Sequence, residues 1–176
     1  MKRETEEVKI RVSLGERGKI STGDPVLDHM LKTLFFYMGI SAEVEAQGDL
    51  RHHLWEDVAI VIGKEISSKY DRNTIARFGE AIVPMDDALV LVALDISRGY
   101  LNFDLSTVET EEGFSIALIR EFFSALSRSI PATIHVKQLA GFNAHHVCEA
   151  AFKALGMALK RALQPNARVE STKGEV

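Results

Sequence analysis

One cysteine, Cys148, stands among the 176 residues. A single thiol excludes an intrachain disulfide framework and fits a reducing, cytoplasmic setting. No apolar stretch reaches the roughly 18 residues that a membrane helix needs. The start, Met1-Lys2-Arg3-Glu4, leads into a charged, strand-like segment rather than a secretory leader. Excess positive charge is also missing. The formal charge is −4 and no basic stripe is visible, so neither nucleic acid nor a membrane is an expected partner. Low-complexity runs are absent, and the acidic run Glu109-Thr110-Glu111-Glu112 reads as a solvated loop. What remains is the composition of a soluble globular protein, 46% hydrophobic and 26% charged. Its length is enough to bury a substantial core.

Histidine is present in few copies but in a pattern. Of six histidines, four form two copies of His-His-x-x-Glu: His52-His53-Leu54-Trp55-Glu56 and His145-His146-Val147-Cys148-Glu149. The others are His29, in Leu27-Asp28-His29-Met30, and His135, in Thr133-Ile134-His135-Val136.

Periodicity places these motifs. Val8 to Leu14 alternates apolar and polar as a half-buried strand does. Gly15 to Gly18 suggests a hairpin turn into Lys19–Thr22. Asp24-Pro25 starts a helix, with Asp24 as N-cap and Gly39 as its stop. Ala42–Ala46 is a strand, and a helix runs from about His52 to Tyr70. The order then repeats: a strand at Ala88–Ser97, a strand at Tyr100–Leu105 pairing with it after a turn at Arg98-Gly99, a helix at Phe114–Ile130, a strand at Ala132–Leu139 and a helix at His145–Leu163. The two motifs lie 93 residues apart, and at that offset Gly48 falls on Gly141. The chain therefore reads as a tandem duplication of a strand-strand-helix-strand-helix unit. Residues 1–86 form the first half and 87–176 the second, in one compact α+β unit, with Asp71–Asp87 as the joint. Two sheets backed by helices are the expected layers.

On a helix, residues four apart share a face, while neighbours point about 100° apart. His52 with Glu56, and His145 with Glu149, can each grip one ion. His53 and His146 point elsewhere and can serve a second ion. An exchange follows: His145, Glu149 and His53 on one ion; His52, Glu56 and His146 on the other, with His29 and His135 left to complete the sets. Imidazole with carboxylate suits manganese, iron, cobalt or zinc, not calcium. Cys148, off the His145–Glu149 face, reads as a small buried apolar side chain.

These residues carry a resemblance. Leu27-Asp28-His29-Met30-Leu31, both His-His-x-x-Glu motifs, Pro84-Met85-Asp86-Asp87-Ala88-Leu89, Ala151-Phe152-Lys153-Ala154 and Ser171-Thr172-Lys173-Gly174 closely resemble the imidazoleglycerol-phosphate dehydratase family, in order and along nearly the whole chain. The resemblance implies the duplicated α+β fold (ribosomal protein S5 domain 2-like, two mixed sheets packed against helices). It implies a hydro-lyase of histidine biosynthesis that converts imidazoleglycerol phosphate to imidazoleacetol phosphate through a metal-stabilised imidazolate. It also implies two Mn2+ per active site, with other divalent transition metals possible, and a homo-oligomer of 24 subunits with sites between subunits. The ligand sets it implies are His29, His53, His145 and Glu149 on one ion, and His52, Glu56, His135 and His146 on the other. For the phosphate it implies Arg77, Arg98, Lys153, Ser171 and Lys173, cations and a hydroxyl suited to a dianion. Glu7 aligns with an acidic residue near the substrate, and it and a metal-bound water are the candidates for proton handling. Three departures stand out: only Arg51 separates Gly48-Asp49-Leu50 from the histidines, where the family carries a longer acidic stretch; Thr33 replaces a common glutamine; and Thr172 replaces a tail serine, keeping the hydroxyl.

Two other classes fit part of the pattern. A non-catalytic metal-binding shell would use the same ligands to staple subunits. A dinuclear metallohydrolase would use the two ions but usually relies on bridging carboxylates. Neither explains Arg77, Arg98, Lys153 and the Ser-Thr-Lys tail in matching register.

Overall fold

The fold is given by a computed structural model, which describes residues 1–106, 113–169 and 171. The acidic run 109–112 and Lys173 lie outside the described residues. In chain order the elements are β1 (Lys2–Glu4), β2 (Val8–Leu14), β3 (Ile20–Ser21), α1 (Pro25–Met38), β4 (Ala42–Gly48), α2 (Arg51–Lys69), β5 (Phe78–Met85), β6 (Ala88–Ile96), β7 (Tyr100–Asp104), α3 (Ile116–Ser129), β8 (Ala132–Ala140) and α4 (Ala144–Ala162). Two four-stranded mixed sheets, ordered β1-β2-β4-β3 and β5-β6-β8-β7, repeat one topology. The helices repeat too: α1 and α3 have 14 residues each, α2 and α4 have 19 each. The α+β duplication is thus a property of the fold.

The structure corrects three local expectations. First, β3 does not form a hairpin with β2; it runs parallel to β4 at the far edge of the sheet. Second, β7 does not pair with β6 but runs parallel to β8. Turn residues encode a chain reversal, not a partner. The long antiparallel ladders β2–β4 and β6–β8 take the central places, and the helix between β3 and β4, or β7 and β8, is the crossover that a parallel pair requires. Third, the expected joint Asp71–Asp87 contains β5, the first strand of the second sheet, paired with β6 in a hairpin that turns at Asp86–Asp87. Its inward face is small (Gly79, Ala81, Val83) and it contains Pro84, so it lacks a strong strand signal. It sits at an edge, where a missing N–H is tolerated.

The helices lie between the sheets, and the core is where they meet. Trp55 of α2, Phe122 and Phe123 of α3 and Phe152 of α4 are fully buried. Phe122 and Phe152 rings lie 5.0 Å apart, and Trp55 meets Phe122 edge-on at 6.4 Å. Offset and edge contacts of this kind add to the burial of large apolar surface.

Asp24 joins the helix starts. Its Oδ1 accepts from the Val26 and Leu27 N–H groups at 2.9 and 3.2 Å, capping α1 as expected. Its Oδ2 accepts from Arg51 Nε at 2.7 Å and from Trp55 Nε1 at 2.9 Å, both on α2. The side chain is only 5% exposed. Burial pushes this carboxyl up, but the hydrogen bonds from Arg51, Trp55 and Leu27 outweigh it and hold it below its ordinary value. A depressed folded value means that the stabilisation is present above the unfolded value of 3.8 and fades as pH falls through the folded one. Asp24→Asn is therefore expected to cost about 1–3 kcal/mol in urea unfolding at neutral pH. The gap from wild type should narrow below about pH 4. A gap that is constant with pH would contradict the ionic role.

Candidate metal centre and its surroundings

The helix crossing between halves builds the centre. At Gly156 of α4 an added Cβ would lie 2.5 Å from the Leu34 carbonyl oxygen of α1. Only glycine permits this approach. One to three turns toward the N-termini, the same crossing brings His29 of α1 to His145 and Glu149 of α4. His29 Nε2 and His145 Nε2 lie 3.0 and 3.1 Å from the same oxygen, Glu149 Oε2. These ligand atoms all fall within 4.8 Å of one another. Burial pushes the Glu149 carboxyl up, but hydrogen bonds from His29 and Lys153 hold it below its ordinary value. The result is a largely buried, charged carboxylate with two imidazoles converging on it. That donor set fits a first-row divalent cation. Phe114 lies flat on His145, with centroids 4.5 Å apart and an 18° angle between rings.

Lys153, one turn beyond Glu149, places Nζ 3.0 Å from Glu149 Oε1 and 3.3 Å from Met85 Sδ. Cys148 is fully buried, and burial pushes its thiol up to about 12, so it is inert as a nucleophile.

The other histidines have different neighbours within one chain. His53 Nδ1 is 2.8 Å from Asp49 Oδ1 and 3.9 Å from Glu7 Oε2. Asp49 holds the His53 imidazole above its ordinary value, and Glu7 and Asp57 add to this against burial. His52 lies against the His53 ring at 4.1 Å and is exposed. Glu56 Oε1 accepts from Arg128 Nη2 at 3.2 Å. His146 Nδ1 is 2.5 Å from Asp87 Oδ1. Hydrogen bonds from His146 and from the Phe142 N–H lower the Asp87 carboxyl to about 2. His135 is on the outer face of the second sheet, between the inward-facing Ile134 and Val136, with Tyr100 at 5.9 Å.

Arg77 and Arg98 lie away from the His29–His145–Glu149 group, at the ends of β5 and β6 in the second sheet. Arg77 Nε donates to Asp95 Oδ1 at 2.6 Å, and the Arg77 N–H donates to the carbonyl of Ala162, the last residue of α4. Arg77 has φ 69°, a left-handed backbone unusual for a non-glycine residue. Arg98 is exposed, and its carbonyl accepts from Thr133 Oγ1. His145 and Ala162 are separated by seventeen residues of helix, about 25 Å at the α-helical rise. The His29–His145–Glu149 group and these arginines therefore lie at opposite ends of α4. Ser171 is partly buried, and Thr33 is buried on α1.

Asp49, Asp86, Asp87 and Phe114 were not singled out by site chemistry in the sequence. Asp49 stands four residues before His53 on a helix start, a spacing that does signal contact. Phe114 meets His145 only through tertiary packing and leaves no local signal.

Comparison with known proteins decides the family. The model of the imidazoleglycerol-phosphate dehydratase family matches residues 22–159. The chain belongs to this family. It is 52% identical over 175 residues to the imidazoleglycerol-phosphate dehydratase of Pyrococcus furiosus, covering 99% of each chain. It is 44% identical over 188 residues to that of Desulforudis audaxviator, covering all of this chain and 96% of the other. The fold superposes on the crystal structure of the Pyrococcus furiosus dehydratase with a TM-score of 0.98 and on that of Staphylococcus aureus with 0.84. These alignments cover 100% and 94% of this chain, and 100% and 98% of the others, at 51% and 35% identity.

The close helix crossing yields a prediction for this dehydratase-family chain. Gly156→Ala forces α1 away from α4 and is expected to cost about 1–3 kcal/mol of stability, read as a lowered thermal midpoint. An unchanged midpoint would show that the crossing tolerates a methyl group.

Proposed function

We propose that this chain is a hydro-lyase of histidine biosynthesis that dehydrates imidazoleglycerol phosphate to imidazoleacetol phosphate in the cytoplasm. Family membership carries the reaction, and the convergence of His29, His145 and Glu149 on one point carries the metal dependence. Two Mn2+ ions per site are the cofactors in this reading. His29, His53, His145 and Glu149 hold one; His52, Glu56, His135 and His146 hold the other. When bound, such ions supply positive charge beside the substrate ring, which favours its deprotonated form and so helps expel the hydroxyl.

The chain's own groups do the rest. Arg77, Arg98, Lys153, Ser171 and Lys173 bind the phosphate and so fix where the ring lies. Asp95 orients the Arg77 guanidinium through Nε. Glu7, beside His53, takes the proton from the carbon that follows the one losing its hydroxyl, and proton and hydroxyl together make up the water eliminated.

Separation along α4 supports a site shared between copies. A span of about 25 Å of helix between the His29–His145–Glu149 group and the Arg77–Arg98 end exceeds what one small substrate bridges. His135 lies with the latter end: it is two residues along β8 from Thr133, which bonds to Arg98. One copy then offers the first ligand group and another offers His135 with the arginines. Phe36, Phe78, Ile82 and Tyr100 are large apolar side chains at least half exposed on the single chain, suited to burial between copies. A homo-oligomer of 24 subunits is the assembly in this reading.

The test is complementation. Glu149→Gln and a double Arg77→Ala, Arg98→Ala variant are each expected to lose at least about 100-fold in Mn2+-dependent turnover. Mixed and reassembled, they should regain activity, because some sites combine an intact half from each. Mixtures that stay inactive while wild type survives the same treatment would sink the shared site. A metal-loaded wild type inert toward imidazoleglycerol phosphate would sink the function. Glu7→Gln is expected to lower kcat with metal content unchanged; near-normal turnover would remove Glu7 from proton transfer.

A further inference from the structure

Arg51 occupies the first position of α2, where a positive charge is disfavoured by the helix dipole. The preceding Leu50 offers no side-chain cap, and no acidic residue stands in the first turn. Something outside α2 must justify the cation. Two groups do. Arg51 Nε donates to Asp24 Oδ2 at 2.7 Å, and Nη2 donates to the Gly113 carbonyl at 2.9 Å. One planar guanidinium thus links the cap of α1, the start of α2 and the approach to α3.

Each of those segments carries a residue of the metal centre or its support. α1 carries His29, five residues beyond Asp24. α2 carries His52 and His53, next to Arg51 in the chain. Gly113 precedes Phe114, whose ring lies flat on His145. Gly113 stands where only glycine fits. Its φ is +83°, and an added Cβ would come within 2.9 Å of Val26 Cγ2 in the first turn of α1. The Arg51 bond holds the Gly113 carbonyl, at a place where Val26 leaves no room for a side chain, and so seats Phe114 over His145.

We infer that Arg51 is a positioning residue for the metal centre, acting through Gly113 and Phe114 on the His145 imidazole. The inference rests on the metal reading above. Lysine is a point donor on a flexible stem and lacks the fork that reaches Asp24 and Gly113 together. Arg51→Lys keeps the charge beside Asp24 and gives up the bridge.

The test measures Mn2+ uptake by the assembled protein from the loss of the free-ion electron paramagnetic resonance signal, alongside thermal midpoint, kcat and KM. Arg51→Lys and Phe114→Leu are each expected to weaken Mn2+ binding by about tenfold, the lower end for groups that orient a ligand. The Arg51→Lys, Phe114→Leu double variant should be little worse than either alone, because both act on the same ring. Turnover at saturating Mn2+ should recover most of the wild-type kcat. Arg51→Lys with wild-type Mn2+ affinity, whatever its thermal midpoint, overturns the proposal. So do losses that multiply in the double variant. Should Arg51→Lys fail to assemble, Phe114→Leu decides: unchanged affinity there breaks the relay. A wild type that takes up no Mn2+ contradicts the metal reading itself and this proposal with it. Normal wild-type uptake with an unaffected Arg51→Lys contradicts this proposal alone.

Discussion

The contact between α1 and α4 is the constraint on which the centre depends. It joins the two halves of the duplication where Gly156 lets the Leu34 carbonyl come against the α4 backbone. His29 comes from the first half, His145 and Glu149 from the second. The carboxylate that gathers the imidazoles is buried and held charged by its neighbours. Close packing thus does two things: it stabilises the fold through burial, and it sets three ligand atoms from distant parts of the chain at one point.

Duplication explains why the two ends of the molecule differ in chemistry while sharing a topology. The two sheets have the same strand order, and the helix lengths match pair by pair. Yet His29 on α1 has no histidine counterpart on α3, and the first-half strand β4 lacks a counterpart of His135. Arg77 and Arg98 flank β5 and β6 of the second sheet. A copied scaffold with divergent side chains gives each chain unlike surfaces, and unlike surfaces can complete one another between copies.

Much of this was legible in the sequence, for local physical reasons. Asp24-Pro25 and Gly39 mark the ends of α1 because caps depend on backbone conformation and short side-chain bonds. His145 and Glu149 meet because four-residue spacing puts them on one helix face. The resemblance of the motifs to a dehydratase family agrees with the family match over residues 22–159. Strand partners were less legible. β3 and β7 follow turn signals but pair with strands beyond a helix, since ladder length and burial choose the neighbour. β5 went unseen because glycine, alanine and proline give it a weak pattern, although Gly79 is what lets it lie against Ala158 of α4. The stacking of Phe114 on His145 and the bridge made by Arg51 join residues far apart in the chain. No spacing rule reaches them.

The centre also shows how polar groups are placed in a largely apolar frame. Asp24 and Glu149 are buried carboxylates, and each is surrounded by donors rather than left alone, as the cost of an unpaired buried charge demands. The most direct test of the account is an anomalous-difference map from crystals of the Mn2+-loaded protein. The account predicts a manganese peak bonded to His29, His145 and Glu149 of a single chain. Manganese bound elsewhere, with His29 turned away from Glu149, would contradict it.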